Sequence, residues 1–451
     1  MDKTTIYIFA GAIGFFCIVF VVSNLYWGTF LIILAQPFFV QNVQGEMGIS
    51  PKKLVYGILF AAWMLTWLMS KIFQKSSQKT VMWHPMAAPA LAFWGVLCLA
   101  VLMGLIYGAS PGDIFRDLSQ YVGYLAVLVV IDKVRTPSQA KKLLLFLAIL
   151  GLPSSLFYDL NLVNLKQGMD VYPEFNFAPY GAPYWGPIQG MIWALALSSA
   201  SVLHMALAWV WLMVSSAIKI TSGVRSMLIS LLVAGTVAFI GAGRLGRSNI
   251  SRYLVPVFLV LVVGGVAADL SGAINLPFSR LTRQSYTSLT SEKNLLADRS
   301  LQGRMVEFTA QIQAFARNPL TGIGLGHSLK YPGAGKDRIR FTYHNGYGET
   351  FYKFGIFGTF IFGWFFWRIT RMSYGIMRTR KSYLSQLAGL GTLVWLLTSF
   401  VLSFVYFSQF SNRGFALTVG LMAGLLPALA NQHPLGQEPQ RIDTNAQELS
   451  R

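Results

Sequence analysis

The chain has 451 residues, of which 54% are hydrophobic and only 12% are charged. Soluble proteins carry about twice that charged fraction, so the composition excludes an ordinary soluble domain. The formal net charge of +19 falls mostly in short loops between apolar runs. That distribution is typical of the cytoplasmic loops of membrane proteins, and it gives no indication of a nucleic-acid partner.

Apolar runs of helical length recur from one end of the chain to the other and predict an all-α polytopic membrane protein with about 12 transmembrane helices. In chain order the candidate spans are 4–23, 27–41, 53–73, 86–107, 113–131, 142–159, 187–201, 203–218, 226–243, 253–270, 351–371, 384–407 and 412–430. The stretch 187–218 is predicted to be a helical hairpin.

Clusters of Lys and Arg in short loops orient the helices, because such loops stay in the cytoplasm. Three such clusters are Lys71, Lys75 and Lys79; Lys133, Arg135, Lys141 and Lys142; and the densest, Arg368, Arg371, Arg378, Arg380 and Lys381. Counting spans from the third cluster places one large polar loop, 271–350, outside the cell membrane. Its basic excess indicates an anionic partner.

The same count divides the chain into four parts. They are N-terminal transmembrane helices over 1–270, the large outer loop over 271–350, C-terminal transmembrane helices over 351–430, and a flexible cytoplasmic tail over 431–451. The count also places "TSGVRS" at the outer face, with Arg225 directly at a helix start. A charge there is more often functional than incidental. Arg252 in "ISRYL" is the rival residue, but it counts to the cytoplasmic side.

Several familiar site patterns are absent or misplaced. The run "GAGRLG" at 241–246 matches a dinucleotide-binding pattern, but an apolar span of helical length precedes it instead of a strand, so we interpret it as a cytoplasmic turn. The five histidines have no metal-ligand spacing, and neither an Asp-x-Asp pair nor a P-loop occurs. The sequence therefore predicts no metal site, no cofactor and no ATP hydrolysis.

The outer loop contains "GRMVEFTAQIQAFARNPLTGIGLGHSLKY" and then "YHNGYGETFYKFGIFG". The first part predicts a short helix that Pro319 ends, followed by a tight turn at Gly322, Gly324 and Gly326. The His344–Asn345 pair directly precedes the next apolar run. A titratable pair at such a boundary is a candidate site.

Gly303-Arg304, "NPLTGIGLG", the His344–Asn345 pair and "FGIFG" together resemble the O-antigen ligase and polymerase family of bacterial membrane glycosyltransferases. The specific resemblance covers about 220–360. There are three departures from the family pattern. Phe308 stands where the family often has Trp, Lys353 stands where it often has an acid, and Gly223 and Val224 separate Ser222 from Arg225.

The resemblance implies a GT-C-like fold and a metal-independent transfer of a glycan from undecaprenyl pyrophosphate to an acceptor sugar hydroxyl. The acceptor would be a lipid A core sugar or another lipid-linked repeat. A base must assist the hydroxyl, and cations must take up the charge on the departing pyrophosphate. The implied catalytic residues are His344 as base with Arg304 and Arg225 on the pyrophosphate; the implied substrate-binding residues are Asn345, Arg338, Arg340 and Lys336.

The implied place of action is the outer face of the bacterial inner membrane, in lipopolysaccharide or exopolysaccharide biosynthesis. Ligase and polymerase are not separated by this sequence. The alternative function from another class is a transporter or flippase of lipid-linked glycans. Such a protein would show internal repeats, and the two halves of the chain contain no convincing repeat.

Overall fold

The computed structural model describes residues 14–39, 51–73, 84–166, 185–199, 201–221, 225–245, 299–331, 338–340, 345–378, 382–405 and 410–430. The predicted span 253–270, the first part of the outer loop at 271–298 and the tail 431–451 lie outside the described residues. The division of the chain into four parts therefore stays a prediction.

Helices make up nearly all of the described chain. They are α1 Gly14–Ser23, α2 Leu25–Phe39, α3 Pro51–Phe73, α4 Ala87–Ile106, α5 Pro111–Tyr121, a 3-10 turn Val122–Leu125, α6 Ala126–Lys133, α7 Pro137–Lys166, α8 Trp185–Ser198, α9 Val202–Thr221, α10 Arg225–Leu245, α11 Arg299–Arg317, α12 Gly346–Arg378, α13 Tyr383–Val405 and α14 Arg413–Ala430.

Two short strands interrupt the helical pattern between α11 and α12. Strand β1, Leu329–Tyr331, pairs antiparallel with β2, Arg338–Arg340, with Leu329 opposite Arg340. The all-α architecture is confirmed. The short ribbon was not predicted, because three-residue strands leave no periodicity in a polar loop.

Within the described ranges, five stretches are helical, long and apolar enough to cross a bilayer. They are Val55–Phe73, Ala87–Ile106, Pro111–Lys133, Tyr383–Phe404 and Arg413–Ala430. Four shorter apolar helices accompany them, at Gly14–Ser23, Leu25–Ala35, Val202–Ser216 and Ile229–Gly243. The protein is therefore a helical membrane protein, and the count of about 12 spans stays a prediction.

The stretch 187–218 forms the predicted hairpin. Helices α8 and α9 are separated by residues 199–201 and pack together, and the indole nitrogen of Trp209 donates to the carbonyl of Ala196 over 3.1 Å. A single continuous helix here would change the number of spans by one and so reverse the membrane side assigned to each later segment when spans are counted from the N-terminal clusters. The hairpin therefore supports the predicted placement of Arg225.

Ion pairs show which helix ends meet. Lys71 at the end of α3 binds Asp132 at the end of α6 over 2.7 Å, and Lys133 and Arg135 bind the same carboxylate. We call this side of the bundle the basic end. The opposite side, where residues 318–326 pack against the start of α12, is called the motif end.

Close helix contacts depend on glycine. The position of a Cβ on Gly190 of α8 would overlap the backbone of Gly391 on α13, and one on Gly123 would overlap the backbone of Leu417 on α14. Membrane helices associate through such small residues, because lipid provides no hydrophobic drive between them. Between the helices lies an aromatic core formed by Phe93, Tyr124, Phe362, Phe365, Phe366, Phe410 and Phe415.

Candidate active site

Helix α12 breaks at Gly355, which has φ 65° and ψ −170°. The break removes the two helical hydrogen bonds that would join the carbonyls of Tyr352 and Lys353 to the amides of Ile356 and Phe357. Backbone groups that are freed in or near a bilayer must find other partners. These two carbonyls and two amides therefore need hydrogen-bond partners outside the helix.

The turn after α11 satisfies all four groups. Ile323 N donates to Tyr352 O over 2.9 Å and Gly324 N to Lys353 O over 3.1 Å. In return, Ile356 N donates to Pro319 O over 2.8 Å and Phe357 N to Leu320 O over 3.2 Å. The "NPLTGIGLG" and "FGIFG" motifs of the family resemblance thus form one hydrogen-bonded unit.

The glycines of the turn have a geometric role. Gly322, Gly324 and Gly326 have φ of 70°, 81° and 86°, a region that favours glycine. A Cβ on Gly324 would also overlap the backbone of Gly104 on α4, and Leu325 N donates to Ala100 O over 2.9 Å. The predicted tight turn is confirmed, and it locks α11 onto both α4 and α12.

Asn345 caps the start of α12. Its side-chain oxygen accepts from Gly348 N over 2.9 Å, and its backbone carbonyl accepts from the Gln311 side chain over 3.4 Å. This is the usual work of an N-cap residue. The backbone next to His344 is therefore held by α11, whereas His344 itself lies outside the described residues.

Arg304 lies on the face of α11 that packs against α12. Residues at spacings of three and four share a helix face, and on this face Glu307 and Gln311 are buried. Arg304 is half-buried and stands two turns before Gln311, about 10 Å along the axis. Because α11 and α12 run in the same direction, Arg304 lies on the side of the Asn345 cap from which the chain enters α12.

Arg225 is the first residue of α10, and its backbone lies at the motif end. Gly241 of α10 contacts Leu390, in the first third of α13, and the start of α10 lies 16 residues, about 24 Å, away from that contact. The other end of α13 meets the start of α12, where Tyr347 donates to Phe400 O over 3.1 Å. The rival Arg252 lies outside the described residues.

The remaining predicted binding residues fall on the ribbon and its connection. Arg338 and Arg340 occupy alternate positions of β2, opposite Tyr331 and Leu329. Lys336 lies outside the described residues. The ribbon follows the glycine turn directly, so the chain carries Arg338 and Arg340 in the segment between the turn and the Asn345 cap.

Sequence reasoning missed a buried ionic cluster at the motif end. Lys353 binds Glu349 over 2.7 Å and Asp117 over 3.1 Å, and all three side chains are 0% exposed. Tyr121 and Ser411 donate to Glu349 over 3.3 and 2.8 Å. The cluster ties α5 and α12 to the residue pair before α14.

The cluster also holds the glycine turn, since Gly326 N donates to Asp117 over 2.9 Å. Two sequence signals pointed to it. Asp117 is an ionisable residue inside the predicted span 113–131, which is a rare and costly position. Lys353 is one of the departures from the family pattern, and its charge matches the two carboxylates that the fold brings to it.

His327 is a second histidine at the motif end. Its ring centroid is 6.4 Å from that of Tyr107, and its Nε2 atom has no hydrogen-bond partner among the described residues. Burial lowers the pKa of His327, so its imidazole is neutral at pH 7. It is the rival to His344 as a base. Within the same described ranges, no three His, Cys, Asp or Glu residues stand close enough to hold a metal ion.

Comparison with known proteins supports the family resemblance of the segment that contains these motifs. Residues 191–363 match a family model described as O-antigen ligase. That range includes the second half of α8, α9 to α11, the ribbon and the break in α12, and it therefore contains every motif on which the resemblance rested. No curated protein matches the chain. The resemblance to the O-antigen ligase and polymerase family is thereby confirmed over residues 191–363.

Proposed function

We propose that this protein is a glycosyltransferase of the bacterial inner membrane that moves a glycan from undecaprenyl pyrophosphate to a sugar hydroxyl at the outer face. The observation that carries the proposal is the coincidence of the family match with the motif end. There the start of α10 lies at the same end of the bundle as the capped start of α12, which directly follows His344 and on which the Arg304 face of α11 packs.

In the proposed reaction, the acceptor hydroxyl attacks the anomeric carbon of the donor glycan. His344 takes the hydroxyl proton as the new glycosidic bond forms, because a neutral imidazole has a suitable pKa near 6.5. The bond between the anomeric carbon and the pyrophosphate oxygen breaks. Undecaprenyl pyrophosphate leaves with the bonding electrons, so no external energy source is needed.

Two arginines would neutralise the departing group. The guanidinium of Arg is planar and permanently charged, and it binds phosphate oxygens through two parallel hydrogen bonds. Arg304 and Arg225 would hold the pyrophosphate, and the ribbon residues Arg338 and Arg340, with Lys336, would bind the anionic parts of donor or acceptor. The capping role of Asn345 would fix the approach of His344 to the acceptor hydroxyl.

The test uses purified protein in detergent with a lipid-linked donor and an acceptor glycan. The proposal predicts a new glycosidic bond and released undecaprenyl pyrophosphate, without ATP, without an ion gradient and in the presence of EDTA. The alternative is a flippase of lipid-linked glycans, which has no compartments to connect in detergent and yields no covalent product. Absence of product with lipid A core and lipid-linked acceptors alike, together with donor movement across sealed vesicles, would favour the flippase.

Orientation has a separate test. Engineered cysteines near Ser285 and Gly333 are expected to react with an impermeant reagent added from outside, whereas cysteines at Ser248 and Ser382 are expected to be protected. Labelling of the Ser248 position from outside would reverse the choice between Arg225 and Arg252.

A further inference from the structure

An elongated apolar slot runs along α3 beside α4 and α5. Its volume is about 320 Å³, and α3 lines it with Tyr56, Phe60, Met64 and Leu68. These residues recur every fourth position and so form one stripe of the helix. From Tyr56 to Leu68 the stripe is about 18 Å long at 1.5 Å per residue, more than half of a bilayer's hydrocarbon thickness of about 30 Å.

The polar groups of the slot gather at one end. Arg116, Ser119 and Arg413 line it there, and Arg413 Nε donates to Ser119 Oγ over 2.7 Å. Arg413 also lies within electrostatic reach of Tyr56, Arg116 and Asp117. Because α5 and α14 both begin at the motif end, the cationic end of the slot is at the motif end and the apolar part extends toward the basic end.

The charge of Arg413 is only partly balanced, because Asp117, an acid that attracts it electrostatically, is already paired with Lys353. Arg116 pairs with Asp113 over 3.0 Å, but no carboxylate among the described residues lies within 4.0 Å of the Arg413 guanidinium. A cation beside an apolar cavity in a membrane protein is costly without an anion. The slot therefore combines an apolar cavity with a cation that forms no direct ion pair among the described residues.

We propose that the slot binds the polyprenyl chain and the phosphate of a lipid carrier, a role for these residues that rests on the proposed function. The guanidinium groups would bind phosphate oxygens, for which their geometry is suited. The single stripe and a volume at the low end of the range for ligand pockets fit a segment of one chain rather than the two chains of a phospholipid.

The slot is open to the bilayer and joined to the candidate active site. Ala61 and Leu65 line the slot and are exposed on the lipid-facing side of α3, so a chain can enter laterally. At the cationic end, Arg116 precedes Asp117 of the ionic cluster, and Arg413 follows Ser411 by two residues. A phosphate at Arg413 would thus lie beside the groups that hold the start of α12.

The test measures lipid binding to the purified full chain by native mass spectrometry, with undecaprenyl phosphate, phosphatidylglycerol and inorganic phosphate as separate probes. Undecaprenyl phosphate should bind most tightly. Arg413→Gln should weaken that binding by at least about tenfold, the effect of losing hydrogen bonds to a charged group. Ala61→Trp, which fills the slot, should weaken it similarly, and Ile58→Trp is the matched control, because Ile58 is exposed on the same helix but does not line the slot.

Equal binding of phosphatidylglycerol, competition by inorganic phosphate at similar concentration, or wild-type binding by Ala61→Trp would each overturn the proposal. The Ala61→Trp result also decides the matter if Arg413→Gln fails to fold. If undecaprenyl phosphate binds as expected but no glycan is transferred, the lipid-binding role of the slot stands and the proposed function is contradicted. Glycan transfer by the unmodified protein, together with undiminished lipid binding by Ala61→Trp, would support the proposed function and overturn the lipid-binding role of the slot.

Discussion

The two ends of the bundle solve the same electrostatic problem in different ways. At the basic end, the buried carboxylate of Asp132 meets Lys71, Lys133 and Arg135, whose side chains are 23%, 23% and 43% exposed. At the motif end, Lys353, Glu349 and Asp117 are all fully buried. Water can replace a lost partner at the first end but not at the second.

The difference separates anchoring from positioning. The basic end holds helix termini together with charges that also follow the orientation rule for cytoplasmic loops. At the motif end, a buried ion cluster fixes one short segment, the first turns of α12 before its break. Those turns directly follow His344. The end of the bundle that buries an ion cluster is therefore the end at which we propose the chemistry.

The largest effect should come from removing the central cation at the motif end. Lys353→Met leaves two buried carboxylates uncompensated, which typically costs about 3–5 kcal/mol. Lys71→Met is the matched change at the basic end and should cost at most about 1 kcal/mol, because Asp132 keeps two other cations. Thermal unfolding in detergent, with size-exclusion chromatography to count folded protein, measures both. Equal losses in the two variants would contradict the contrast between the ends.

The arginines at the motif end should be sensitive to charge-preserving changes. In Arg225→Lys and Arg304→Lys the charge remains but the two-pronged hydrogen bonding is lost, at a cost of about 1.5–3 kcal/mol. Glycan transfer should therefore fall by about one to two decades. Arg135→Lys at the basic end should transfer normally. Full activity in both motif-end variants would show that these arginines serve only as general charges.

The break in α12 should be sensitive to a single methyl group. Gly355→Ala forces an ordinary residue into a positive φ, which costs about 1–3 kcal/mol, and its Cβ would overlap the carbonyl of Leu320. Gly363→Ala is the control on the same helix, because no atom lies within 4 Å of its added Cβ. The melting temperature should fall for the first variant and stay level or rise for the second. A fall in Gly363→Ala of equal size would mean that the break is not special.

The smallest effect concerns pH at the basic end. Burial lowers the pKa of His84 to about 4, and its Nδ1 atom accepts from Met86 N over 3.1 Å. An unfolded chain binds this proton below about pH 6.5 and the folded protein does not, so stability should decline as the pH falls from about 6.5 to about 4. His84→Asn should lose melting temperature less steeply over that range. Parallel curves for the two proteins would remove His84 from the explanation.

Much of the fold was accessible from sequence, because hydropathy reports membrane helices directly. The hairpin at 187–218 and the glycine turn were predicted and are observed. The ionic cluster was not, because its members are far apart in sequence: Asp117 and Glu349 come together only when α5 packs on α12. Pairing of this kind has no local sequence pattern, although a lone acid in a membrane span indicates that a partner exists elsewhere in the chain.

The slot was inaccessible for a related reason. Tyr56, Arg116 and Arg413 come from three helices, and nothing in the spacing of the sequence connects them. For the candidate active site, the family motifs predicted the segment, and the structure shows that most of the motif residues build the turn and the helix break. His344, Arg304 and Arg225 stay predictions of the resemblance, with Arg304 and the start of α10 brought to one end.

We propose His344 as the base of a glycosyl transfer at the motif end, and the transfer rate of His344→Ala in detergent tests this role. Loss of a general base typically costs about two to four decades, and the account predicts a loss of that size with normal expression and folding. His204→Ala, an exposed histidine near the start of α9, should transfer normally, and His327→Ala tests the rival base. Near-normal transfer by His344→Ala, or a loss of that size in His327→Ala alone, would contradict the account.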